Sequence, residues 1–471
     1  MARLLALLAL ALGSTAYQQH LSFEEAEQFN RLRSSIRNVV VLVQENLSFD
    51  HYAGGLTYNN SIDGLVNRQY CNPENISIPD TSRQVCAANT AQNVAADDPN
   101  HSISGINMQV FGTYHPLIES ESSMDGFITE QRVSYRIERL ENQQALDRPE
   151  RPVIHDETRD MRSEMIETLE RERAAEVIDY FTPEHIPVFN AIAKNYVLFD
   201  RWFAAVPGPT NPNRAYLTSG TSYGHGRNDF SFLLSELPQR SIFQQLSEKG
   251  ISWTNYENTT RSFPGFLPDA MFYEWTAKSI HSKTSIKPIE KFYEDAANGD
   301  LPRFTWINPE CCKYMSMHPP SPINMGENFV KGIYEAVRNS PQWNETLFIL
   351  TWDEHGGFAD HVPPPMNVPP GDSLPYTERA ADGEDYIFHF NRLGVRVPTV
   401  LISPWVGKGL IQNRPDGENE FTHTSILKTL SELWDLDILT PRVEWSPSFK
   451  HLITDEFRDD TPAWLPDAAD F

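Results

Sequence analysis

The stretch LFILTWDEHGGFADHVPPP, residues 347–365, runs from an apolar segment fit for a buried strand into two adjacent acids and two glycines. A continuous apolar run, in place of an alternating one, marks a strand covered on both faces by helices. Similar runs recur at NVVVLVQ (38–44), YVLFDRWF (196–203), GISWTNY (250–256), RFTWIN (303–308) and VPTVLIS (397–403). Between them lie helical patterns such as FNAIAKN, SIFQQLSEKG, GENFVKGIYEAVRN and TSILKTLSELW. Strands alternating with helices predict an α/β fold, a three-layer α/β/α sandwich around a mostly parallel central sheet. Two polar segments look inserted into that frame, near 56–123 and 133–176. The second is dense in charge and is expected to form exposed helices or a lid. Neither carries enough apolar sequence for a core of its own, so one domain over 17–471 is expected.

The 471 residues are 40% hydrophobic and 11% aromatic, too apolar for disorder. Thirty-nine basic residues against 64 acidic ones give a formal net charge of -25 and a pI near 4.9. Such a chain is repelled by nucleic acid and by anionic membranes at long range. The N-terminus, MARLLALLALALGSTAYQQH, has the form of a secretory signal peptide over residues 1–16, with cleavage after Ala16. Its apolar run is shorter than the roughly 20 residues that a spanning helix needs. Secretion, and at most peripheral contact with a membrane, are therefore expected.

Four cysteines suit an oxidising destination. Cys71 and Cys86 flank a polar, loop-like stretch and are the expected disulfide, while the pairing of adjacent Cys311 and Cys312 stays open. Sequons at Asn46, Asn59, Asn75, Asn100, Asn258 and Asn344 make a glycoprotein the expectation.

In parallel α/β sheets, ligands bind beyond the carboxyl ends of the strands. Asp353 and Glu354 sit at such an end, and Gly356 and Gly357 permit the turn that would let both acids face one point. The run NVVVLVQ ends similarly, in Glu45 and Asn46. Side by side in one sheet, these residues would offer three carboxylates and an amide, which repel one another unless a cation sits among them. A third stretch, AVPGPTNPNRAYLTSGTSYGHG (205–226), places Thr210 on a tight Gly/Pro turn. A hydroxyl beside a cation becomes a nucleophile, and Asn213 and Arg214 would suit phosphate oxygens.

These motifs, with DPNHSISGINMQVFG, SMDGFI, HPPSPINMGENF, ISPWVGKG and THTSILKTLSELW, resemble the phosphoesterase family of secreted non-specific phospholipases C and acid phosphatases, in the alkaline phosphatase superfamily. The resemblance runs in order from about residue 37 to about 436. It implies an alkaline phosphatase-like catalytic domain that hydrolyses phosphoric esters, with Glu45, Asn46, Asp353 and Glu354 holding one divalent metal ion. It also implies Thr210 as nucleophile through a phosphothreonine, with His101 and His318 as catalytic histidines in the phosphate pocket. Asn213, Arg214, His355 and His361 are assigned to substrate binding, although a purely structural role for His355, His361 and His423 stays open. The implied substrate is a phospholipid diester. Small phosphate monoesters, as for an acid phosphatase, are the alternative, and a catalytically inactive lipid- or carbohydrate-binding protein is the reading from another class. No nucleic acid or protein partner is expected. Asn46 and Asn100 lie at the implied site, so both sequons are expected to stay bare.

Overall fold

The computed structural model describes residues 22–146, 167–258, 267–309, 315–417 and 419–471. The expected signal peptide, Cys311, Cys312 and the middle of the 133–176 segment lie outside the described residues.

Eight strands form the central sheet: β1 (Asn38–Gln44), β2 (Val197–Phe199), β3 (Trp253–Glu257), β4 (Ile286–Pro288), β5 (Phe304–Asn308), β6 (Thr346–Trp352), β7 (Thr399–Ile402) and β8 (Leu410–Gln412). Their spatial order is β8-β2-β7-β6-β1-β5-β3-β4. All neighbours are parallel except those of β7, which runs antiparallel to β6 and β2. The two most apolar runs, β1 and β6, lie at the centre with every residue buried. They pair in register from Asn38 opposite Thr346 to Gln44 opposite Trp352, so both strands end at the same edge.

Helices cover both faces. On one, Pro187–Asn195, Ile289–Asn298 and Ile323–Arg338 pack together; on the other, Phe23–Ser35, Ile242–Glu248, Thr210–Ser219 and Thr424–Trp434 do. This is the expected mostly parallel α/β architecture, and it buries β1 residues Val39 to Val43 completely.

Three local departures from expectation have clear causes. YVLFDRWF does not run as one strand: Asp200 turns the chain, accepting from the Asp63 backbone and the Asn413 amide, and Trp202–Phe203 pairs instead with Phe421–Thr422. The edge strands β4 and β8 are three residues each, too short for a periodic signal. The turn before Thr210 leads straight into helix Thr210–Ser219, because Pro212 falls in the first helical turn, where no intrahelical N–H is needed.

The 56–123 segment starts with a two-stranded hairpin, Cys71–Pro73 against Gln84–Cys86, closed by the expected Cys71–Cys86 disulfide. Closing a loop of that length stabilises a folded chain by about 3 kcal/mol. The segment then carries Asp98 to His101 over the edge of the sheet and enters helix Ile103–Phe111, capped by Ser102.

Candidate active site

Register decides the site's position. Because Gln44 lies opposite Trp352, the next residues, Glu45 and Asp353, emerge side by side from β1 and β6, followed by Asn46 and Glu354. Asn46 takes a left-handed backbone (φ 60°), a conformation that asparagine tolerates better than most residues. Its N–H donates to Asp353 Oδ1 at 3.3 Å, and the same oxygen accepts from the Glu354 N–H at 2.8 Å. Gly356, at φ 64°, is required by contact as well as by conformation: a Cβ there would lie 2.1 Å from the Asn46 carbonyl oxygen. Gly357 likewise admits the Pro99–Asn100 backbone, and so lets the His101 loop close over the acids.

All four residues are buried, and one arginine faces three carboxylates there. Arg214 donates to Asp353 Oδ2 at 3.0 Å, to Glu45 Oε1 and the Val43 carbonyl at 3.1 Å, and to Asp269 Oδ2 at 3.3 Å. Burial works against its charge, but Asp269, Asp353 and Glu45 together outweigh it and raise its pKa further. The acids show the opposite imbalance. Burial pushes up the carboxyls of Glu45, Asp353 and Glu354, and in Glu354 the neighbouring Asp353 charge adds to it. One guanidinium does not compensate so much buried negative charge.

The unpaired atoms converge in the same place. Both side-chain polar atoms of Asn46 and Oε1 of Glu354 are buried without a hydrogen-bond partner among the described residues. Buried polar atoms of native proteins are rarely left so. An amide oxygen and carboxylate oxygens, desolvated together, are the donor set of a hard divalent cation, and Glu45, Asn46, Asp353 and Glu354 fit one.

Thr210 is the first residue of its helix, where the helix dipole favours an anion, although the Asn211 N–H is taken by Asn228 Oδ1 at 2.8 Å and Pro212 has none. Its hydroxyl has no hydrogen-bond partner among the described residues and lines one cavity with Glu45, Arg214, Asp269 and Asn308. Asn213 holds the turn that presents it. Its amide nitrogen donates to the carbonyls of Val206, Gly208 and Pro209, and its oxygen accepts from the Val206 N–H.

His101 and His318 stand across the acids, ring centroids 6.3 Å apart. Nδ1 of each lies 2.7 Å from a backbone carbonyl, that of Pro99 and of Pro319 respectively, and so carries the proton. Nε2 of His101 then faces Glu354 Oε1 at 3.7 Å.

The structure thus brings Glu45, Asn46, Asp353, Glu354, Thr210, His101 and His318 to one edge, but it places the four substrate-binding assignments otherwise. Arg214 is committed to carboxylates and Asn213 to its own turn. His355 is buried, donates through Nε2 to Gln109 Oε1 (3.0 Å), and is pushed by burial down to about 3, so its ring is neutral. His361 sits in a separate buried network: Nδ1 meets Asp50 at 2.6 Å and Nε2 meets Asp63 at 3.1 Å. Their common reason is that polar side chains beside a catalytic motif are as often its scaffold as its contacts. His423 is scaffold too, with Nε2 on the Asp353 carbonyl at 2.6 Å and Nδ1 accepting from Trp202. Asp269, Asn308 and Asp98 were missed. Asp269 and Asn308 sit in no recognisable motif, whereas Asp98 opens the DPNHS stretch, and its position three residues before His101 was the available signal.

The sequence pattern of the phosphoesterase family matches residues 36–437. The chain belongs to the phosphoesterase family. It is 35% identical over 463 residues to non-specific phospholipase C6 of Arabidopsis thaliana, spanning 94% of this chain and 77% of that one. Phospholipase C B of Mycobacterium tuberculosis is 25% identical over 439 residues, spanning 84% of this chain and 73% of its own. A solved alkaline phosphatase superfamily protein from Vibrio parahaemolyticus is similar over 56% of this phosphoesterase and 63% of its own chain, with 13% identity and a TM-score of 0.34. The protein is therefore a hydrolase acting on phosphoric ester bonds.

Proposed function

We propose that this phosphoesterase hydrolyses the phosphodiester bond of phospholipids on the glycerol side, outside the cell, through a phosphothreonine at Thr210. The observation that carries this reading is the meeting of Glu45–Asn46 and Asp353–Glu354 at one sheet edge, where Glu45 also lines a cavity with Thr210. Relatives called phospholipases C support the diester.

A divalent cation held by Glu45, Asn46, Asp353 and Glu354 supplies Lewis-acid charge that favours ionisation of a nearby hydroxyl and offsets negative charge on a phosphoryl group. The chain's own residues do the rest. Thr210 Oγ gives up its proton to solvent and attacks phosphorus in line, the new O–P bond forms as the bond to the glycerol oxygen breaks, and diacylglycerol leaves. The helix dipole beneath Thr210 stabilises the phosphorylated residue. Since Nδ1 of His101 and of His318 is tied to a carbonyl, Nε2 is the atom on each ring that exchanges protons. Protonated, it serves the departing alkoxide; neutral, it takes a proton from the water that then cleaves the phosphothreonine. Arg214 holds Glu45 and Asp353 in place throughout.

The test pairs phosphatidylcholine vesicles with a simple aryl phosphate. Release of phosphocholine, no turnover in Thr210→Ala, and phosphocholine esterified to Thr210 in acid-quenched wild-type protein are expected. Phosphate release from the monoester alone would replace the lipase reading with an acid phosphatase. Undiminished turnover in Thr210→Ala would remove the nucleophile. Recovery from culture medium of a chain beginning at Tyr17 tests the secretory segment.

A further inference from the structure

We propose that Glu130, on helix Phe127–Leu146, is a positioning residue for His101: acting through Asn100, it sets where His101 Nε2 stands against the departing alkoxide. The inference rests on His101 as a proton donor and deepens that reading.

Asn100 fixes the backbone on both sides of the histidine. Its Oδ1 accepts from the Ser102 N–H at 3.0 Å, and its carbonyl accepts from Gln109 Nε2 at 2.6 Å. Gln109 in turn accepts at Oε1 from His355 Nε2, the residue after Glu354. The His101 ring is oriented by its Nδ1 on the Pro99 carbonyl. The turn from Pro99 to Ser102 is therefore stiff, and what remains to be set is its position as a body. The side-chain amide of Asn100 does this by tying the turn to the neighbouring helix: Nδ2 donates to Glu130 Oε1 at 2.6 Å.

Glu130 is a firm anchor. It is fully buried, Oε1 also accepts from Ser134 Oγ at 3.2 Å, and Oε2 accepts from the Tyr114 hydroxyl at 2.7 Å. All three donors are neutral, and burial pushes the carboxyl up to about 7 against their hydrogen bonds. A buried acid met only by neutral donors is costly, so its two fixed oxygens need a use. Room is left for the contact as well: a Cβ at Gly105 would lie 2.5 Å from Asn100 Nδ2. The same nitrogen is the one a glycan on the Asn100 sequon would need, so the bond to Glu130 and glycosylation exclude each other.

Position matters here because proton donation requires hydrogen-bond reach. A positioned general acid contributes about 10²–10⁴-fold, and a misplacement of about 1 Å costs on the order of 100-fold. The loss falls on leaving groups that need a proton. A glycerol alkoxide does, whereas a nitrophenolate departs without one.

The experiment measures kcat/KM, which reports the steps through alcohol departure, on monomeric dihexanoyl phosphatidylcholine and on p-nitrophenylphosphocholine. In Glu130→Ala and Asn100→Ala the value for the lipid should fall about 10–100-fold and that for the aryl ester less than about three-fold, the pattern also expected of His101→Asn. Glu130→Gln should restore the wild-type ratio, because it keeps an oxygen for Asn100 and offers an N–H to the Tyr114 oxygen. Circular dichroism should be unchanged in Asn100→Ala, which leaves Glu130 in place. Equal losses on both substrates in Glu130→Ala and Asn100→Ala would overturn the proposal, since they would report the fold alone. So would a changed ratio confined to His101→Asn, or a loss in Glu130→Gln as deep as in Glu130→Ala. An unchanged ratio in His101→Asn would remove the histidine as proton donor, and this inference with it, while leaving Thr210 and the cation ligands untouched.

Discussion

Replacing Arg214 with Met removes one guanidinium and leaves Glu45, Asp269 and Asp353 facing one another in a buried space. Removing one partner of a buried ion pair costs about 3–5 kcal/mol, because the other charge stays desolvated and uncompensated. Three carboxylates depend on this arginine, so the upper end is expected, a large part of the roughly 5–15 kcal/mol that holds a domain folded. The sign with pH follows from the acids. Burial already raises Glu45 and Asp353, and Arg214 is the main charge opposing that rise. Without it both go higher, and a carboxyl raised in the folded state stabilises below the ordinary carboxylate range and loses that contribution as pH climbs towards the folded value. The cost of Arg214→Met should therefore be larger at pH 8 than at pH 5, and a divalent cation added at pH 8 should reduce it. Urea unfolding of both proteins at the two pH values, with and without cation, measures this. The double variant Glu45→Gln/Arg214→Met should lose less than the two single losses combined. A cost under about 1 kcal/mol at pH 8, together with a raised KM, would refute the reasoning and return Arg214 to substrate binding.

Asn213→Ala breaks the bonds that tie Val206, Gly208 and Pro209 ahead of the nucleophile; a loss of about 2–3 kcal/mol and a fall in kcat larger than any rise in KM are expected, and a pure KM effect would assign Asn213 to substrate. His361 is opposed by burial but held protonated up to about 9 by Asp50 and Asp63. Its contribution is complete below the ordinary imidazole range and lost as pH rises through about 9, so wild-type stability should decline across that window and His361→Asn should flatten the decline.

Much of this was legible because two kinds of signal are local. The runs that became β1 and β6 are apolar at every position, which only a doubly covered strand demands, and their ends were readable from the polar residues that follow. Gly356 and Gly357 announced a turn that the Asn46 and Asn100 backbones indeed require. What the sequence withheld is pairwise. Nothing in GPTNPNR distinguishes an arginine aimed at phosphate from one aimed at Glu45, Asp269 and Asp353, since that depends on a strand 171 residues away and a loop 55 residues away. Asp269 was invisible for the same reason, its value being its contacts with Arg214 and Trp306. His355 and His361, six residues apart, read alike in sequence, yet burial neutralises one and two aspartates charge the other.

The most direct test of the central claim is the anomalous scattering of crystals grown with manganese. A strong peak is expected within about 2.0–2.6 Å of Asn46 Oδ1 and of carboxylate oxygens from Glu45, Asp353 and Glu354, with the Thr210 hydroxyl on its open side. An active enzyme whose only manganese lies elsewhere, with those four side chains bound to protein groups alone, would contradict it.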